Sequence, residues 1–91
     1  MSNPVPGYYE TLLTAPVFSN DPIGVRQNQR WQLIVDDIHL SSTEAELREA
    51  RGKAEGYIQG LVDAGHLTTD RLRDYKILSS VHRRRMDLTT S

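Results

Sequence analysis

The chain contains no cysteine and, beyond residue 22, no proline. The first absence excludes a disulfide framework, a thiolate metal site and a cysteine nucleophile. The second leaves everything after Pro22 free to be helical, since nothing there interrupts a backbone hydrogen-bond ladder. Aromatic residues are few, with one Trp, one Phe and four Tyr among 91 residues, so a single modest core is expected. No apolar run approaches the about 18 residues of a membrane span, and Met1-Ser2-Asn3-Pro4 has neither the basic nor the apolar region of a signal peptide. The chain therefore reads as cytoplasmic, with no membrane partner. Its formal net charge of −1 gives no global attraction for nucleic acid. The charge is uneven, with four acids and two bases in residues 1–40 and eight acids and nine bases in residues 41–91.

What is present is helix punctuation. Pro4, Pro6 and Pro16 bracket a short segment, Tyr8 to Ala15, that suits a first helix or, from the alternation Tyr9, Thr11 and Leu13, a short strand. Ser19-Asn20-Asp21-Pro22 is a helix start, with Asp21 placed to cap free amides and Pro22 at a position whose amide needs no partner. The run that follows, to Leu40, is ambiguous around Trp31 to Val35. No hairpin signal or second strand run exists to pair with it, so helix is favoured. Ser41-Ser42-Thr43-Glu44-Ala45-Glu46 offers two overlapping capping boxes, Ser41 with Glu44 and Thr43 with Glu46. Leu47, Ala50, Ala54, Tyr57, Ile58 and Leu61 then form an apolar stripe, and Gly65 is a C-terminal stop. After Thr68-Thr69-Asp70, Leu72, Tyr75, Leu78, Val81 or His82, and Met86 return at helical intervals. The expectation is one all-α domain over residues 1–91, a small bundle of three to four helices. It ends in a helical hairpin of about 43–64 and 69–86 whose apolar stripes face each other, with 1–6 and 87–91 as flexible ends.

Inside the best helical segment, Gly52, Gly56 and Gly60 recur every fourth residue. An interior glycine costs roughly 1 kcal/mol relative to alanine, so a row of them calls for compensation, usually the close approach of another backbone. The row does not lie on the core stripe: at about 100° per residue Gly52 falls nearly opposite it, and Gly56 and Gly60 drift toward the flank. Two readings stay open. The amino-terminal segment, with Tyr8, Tyr9 and Phe18, lies across this face, or a second copy or another protein docks there.

Residues with the chemistry of an active site do not assemble in the sequence. His39, His66 and His82 are far apart, and Asp36-Asp37 beside His39 lacks the spacing of a metal site, so no metal and no cofactor are expected. Neither a phosphate-binding glycine loop nor a G-x-S-x-G nucleophile elbow occurs. The dense positive cluster is His82-Arg83-Arg84-Arg85, which either complements a helix dipole or contacts phosphates.

The stretch Tyr57 to Leu78, through Gly60-Leu61-Val62-Asp63-Ala64-Gly65-His66-Leu67-Thr68-Thr69-Asp70, resembles the short carboxy-terminal helical hairpins appended to many bacterial proteins. It departs from them in placing Arg71-Leu72-Arg73 where they open the second helix with acidic and aromatic residues. The resemblance implies hairpin geometry and carries no function.

The sequence thus points to a non-enzymatic protein-binding regulator or inhibitor, of the kind phages and plasmids direct at host complexes. Its expected contact residues are Tyr8, Tyr9, Trp31, Gly52, Gly56 and Gly60, with a homodimer through the glycine face as one form. The alternative is a nucleic-acid-binding transcriptional regulator using Arg83, Arg84 and Arg85.

Overall fold

The computed structural model describes residues 12–13 and 15–90. Among the described residues the long helices are α1 (Pro22–Leu40), α2 (Glu44–Asp63) and α3 (Arg71–Thr90), and no strand occurs. Leu12 and Leu13 are also helical, whereas the start of the expected Tyr8 to Ala15 segment lies outside the described residues.

Local chemistry sets the helix ends. The Asp21 carboxylate accepts from the Gly24 amide at 2.8 Å and from the Ser19 hydroxyl at 2.8 Å, and these bonds to its charged form hold its pKa below the ordinary carboxylate value. The ambiguous run Trp31 to Val35 is helical, and Trp31, Ile34, Val35 and Ile38 form the buried face of α1. Only one of the two capping boxes is used. Thr43 caps α2, its hydroxyl accepting from the Glu46 amide at 3.1 Å. Ser41 instead closes α1, its amide donating to the Ile38 carbonyl and its hydroxyl to the Asp37 carbonyl at 2.6 Å. Gly65 follows α2 with φ +81, the left-handed conformation that lets the His66 amide donate to the Leu61 carbonyl at 2.8 Å. Asp70 then caps α3 by accepting from the Leu72 amide at 2.9 Å.

The core gathers Leu12, Trp31, Val35, Leu47, Ile77 and Val81, all essentially inaccessible, around the small Ala50 and Ala54 of α2. Trp31 stacks on Tyr57 with ring centroids 6.3 Å apart, and the Tyr57 hydroxyl donates to the Gln27 carbonyl at 3.1 Å. Burial pushes the Tyr57 phenol pKa up. From its start at Arg71, α3 runs back along α2 until Arg85 meets Glu44 at 2.9 Å and the Arg84 Nε donates to the Ser41 carbonyl at 2.9 Å.

Two expectations about α3 are corrected. It continues to Thr90, past the expected end near residue 86, with Leu88 packed against the core. The face turned inward shares only Val81 with the expected one. Leu72, Tyr75, Leu78 and Met86 are 61%, 65%, 44% and 49% exposed, while Ile77 and Val81 are buried with Arg73 and Ser80. At about 100° per residue the exposed stripe lies almost opposite the Ile77, Val81 and Leu88 face, so α3 has two apolar sides and packing chose the narrower. The polar residues on that inward side find backbone acceptors: the Arg73 guanidinium donates to the Thr68 carbonyl at 2.7 Å and the Ser80 hydroxyl to the Lys76 carbonyl at 2.8 Å. The buried Arg73 Nε has no hydrogen-bond partner among the described residues.

Candidate functional site

Of the residues singled out in the sequence, Tyr8 and Tyr9 lie outside the described residues. Trp31, expected as an exposed contact residue, is fully buried. Its large ring fills the space between α1 and α2, and its Nε1 donates to the Leu12 carbonyl at 3.1 Å, so it is a core residue. Gly52, Gly56 and Gly60 do share an exposed face of α2. A methyl group built at any of the three would meet nothing within 4 Å among the described residues. Phe18, a candidate to cover them, is instead half-buried against the core. Among the described residues the glycine face is therefore an open strip, bordered by a Gln59 to Asp63 hydrogen bond of 2.8 Å and by the Glu49 and Lys53 ion pair at 3.9 Å.

The arginine cluster divides. Arg84 is held on the Ser41 carbonyl, where it satisfies a backbone acceptor past the end of α1. Arg85 grips both carboxylate oxygens of Glu44 with its Nε at 3.1 and 3.0 Å, which holds the Glu44 pKa down and raises that of Arg85. Those two cations tie the end of the bundle together, and Arg83 stays exposed beside them. His39, His66 and His82 are also exposed, and no group of three potential metal ligands occurs among the described residues. An open cleft of about 240 Å³ lies between the end of α1 and the start of α2, lined by Asp37, Glu46, Glu49 and Lys53 with Leu40 and Ala50. Ser41 also lines it, with its hydroxyl donated to the Asp37 carbonyl.

The sequence pattern contained a further surface but assigned it to the core. Leu72, Tyr75, Leu78 and Met86 form a stripe along α3 that is roughly 21 Å long at 1.5 Å per residue. Single exposed apolar residues are ordinary, but several on one side of a helix are a candidate interaction site. The signal that could have placed it outward is Ile77, Val81 and Leu88, a second set at helical spacing that includes two β-branched residues.

Comparison with protein-family models, curated proteins and solved structures finds no match. Among the described residues no helix is long and apolar enough to cross a membrane.

Proposed function

We propose that this chain is a small helical protein-binding module, a regulator or inhibitor that acts by occupying a partner's surface and not by catalysis. The observation that carries the reading is the exposed stripe of Leu72, Tyr75, Leu78 and Met86 on α3. A single-chain fold that turns Arg73, Ser80 and Arg84 inward while leaving that stripe in water has unspent apolar surface, and a partner would bury it. Tyr75, the most exposed of the four, is of the residue type enriched at binding hot spots.

The nucleic-acid reading has less support, because Arg84 and Arg85 already serve Ser41 and Glu44 and would have to leave them to reach phosphates. A homodimer through Gly52, Gly56 and Gly60 is a second form of the protein-binding reading, supported by the open space over all three.

The test is a photocrosslinking residue at position 75, with the same residue at exposed Asn28 of α1 as control, in cells that make the protein. Crosslinks to a discrete protein from position 75 and not from position 28 are expected. Equal crosslinking from both positions, or none from position 75, would sink the reading.

A further inference from the structure

Between Leu67 and Ile77, both packed on the core, the chain turns into α3 through residues 68–76. The one buried side chain of that span is Arg73, 3% exposed. Its neighbours, Leu72 and Tyr75 among them, are exposed or half-buried. A guanidinium keeps its charge in a protein, so burying it calls for a carboxylate or a full set of acceptors. Arg73 has neither. Its Nη2 donates to the Thr68 carbonyl at 2.7 Å, its buried Nε donates to nothing, and no ion pair holds it among the described residues.

The other polar bonds of the span are local. The Asp70 carboxylate accepts from the Leu72 and Arg73 amides at 2.9 and 3.3 Å, and the Asp70 carbonyl accepts from the Asp74 amide at 3.1 Å. None of them reaches α1 or α2. What joins the span to the bundle is therefore a cation without a counter-charge, and no buried apolar side chain adds to it. The far end of α3 is held differently, by Arg84 on the Ser41 carbonyl, by Arg85 on Glu44, and by Val81 and Leu88 on the core.

We infer that residues 68–76 open as a unit while the rest of the bundle stays folded, and that the release of Arg73 into water drives the opening. Opening breaks the local bonds of about two helical turns, uncovers little apolar surface and rehydrates the guanidinium. Leu67 and Ile77 bound the unit, because beyond either of them apolar side chains would have to leave the core. Thr68 is exposed, so water replaces the donor that its carbonyl loses. The closed state hides one guanidinium, and the open state displays it beside Arg71 and Lys76.

Opening needs no partner, so it is measured on the full chain alone. Amide hydrogen exchange is followed by nuclear magnetic resonance from zero to sub-denaturing urea. Relative to unfolded rates, the Asp74, Tyr75 and Lys76 amides are expected to exchange at least about a hundredfold faster than that of Val81, with no dependence on urea. Helix ends fray in general, and the control is the start of α2, where Leu47 is fully buried one turn in. The three α3 amides should exchange at least about tenfold faster than those of Leu47, Arg48 and Glu49, which hold the same places in α2. Arg73→Met, with an apolar side chain in the buried site, should slow them by about tenfold or more and leave the α2 amides unchanged. Arg71→Met, at an exposed position, should change them by less than about threefold.

Phenylglyoxal labelling of wild-type arginines, read by mass spectrometry, is the second measurement. Arg73 should be labelled in the folded protein at a rate that low urea does not change. Exchange of the α3 amides no faster than that of Val81 would overturn the inference, and exchange equal to the start of α2 would reduce it to ordinary fraying. Unchanged or faster exchange in Arg73→Met would overturn it as well, since Arg73 would then hold the span closed. If that variant does not fold, the labelling decides: protection of Arg73 until the whole chain unfolds rules out the local opening.

Discussion

Trp31 and Leu12 secure the chain's amino-terminal approach to the bundle: the indole Nε1 donates to the Leu12 carbonyl at 3.1 Å, and both side chains are fully buried. Trp31→Phe removes the donor and leaves the Leu12 carbonyl with the Ala15 amide alone, at 3.2 Å, which should cost about 0.5–1.5 kcal/mol before any loss of packing. Leu12→Ala, which empties the other half of the contact, should cost about 2–5 kcal/mol. Urea denaturation followed by far-ultraviolet circular dichroism measures both. Full stability in Trp31→Phe would mean that the hydrogen bond contributes nothing.

Gly24 and Gly56 should respond to alanine with opposite signs. A methyl group at Gly24 collides with the Ser19 carbonyl oxygen, so Gly24→Ala should destabilise by about 1–3 kcal/mol. At Gly52, Gly56 and Gly60 the space is open, so each alanine should stabilise by about 0.5–1 kcal/mol through reduced freedom of the unfolded chain. A lowered, concentration-dependent midpoint for Gly56→Ala would instead point to a second copy packed on this face, and sedimentation of the wild type would then show a dimer.

Gly65 carries the chain out of α2 at φ +81. Valine is poorly tolerated there, so Gly65→Val should lower stability by more than about 1 kcal/mol although the site is exposed and uncrowded. An unchanged thermal midpoint would contradict the left-handed cap.

Acid should weaken the fold through Asp21 and Glu44, whose pKa values lie below their ordinary 3.8 and 4.5. For Asp21 the main cause is the Gly24 amide, and for Glu44 it is the Arg85 guanidinium. A carboxyl with a lowered folded pKa adds stability that is complete above its unfolded value and is lost as pH falls through the folded one. Asp21→Asn with Glu44→Gln should therefore be less stable than the wild type at neutral pH, with the difference shrinking below the ordinary carboxylate range. A difference that stays constant on acidification would assign the effect to packing. High salt should reduce the Glu44 share, since its pair with Arg85 is exposed.

The helix ends were legible because their causes are local. Asp21 before Pro22, Thr43 before Glu46 and Gly65 after α2 each act within a few residues, and all appear in the structure as caps or stops. The off-core position of the glycine row was legible too, since it depends only on helical geometry. The inward face of α3 was not, because Leu72, Tyr75 and Met86 satisfy helical spacing as well as Ile77, Val81 and Leu88 do. The choice between them depends on how α3 meets α1 and α2, including the reach of Arg84 to Ser41 across the bundle. Trp31 misled for the same reason, because its burial requires Leu12 and Tyr57 to converge on it from distant parts of the chain.

The connections 41–43 and 64–70 are short, so each helix meets its chain neighbour first and the bundle can assemble by a sequence of nearby encounters. Folds built mainly from such local meetings form in about microseconds to milliseconds. The Leu12 carbonyl must find an indole 19 residues along the chain, a longer search than either helix-to-helix turn requires. The docking of that segment brings a backbone carbonyl to the indole, so the emission of Trp31 reports its arrival.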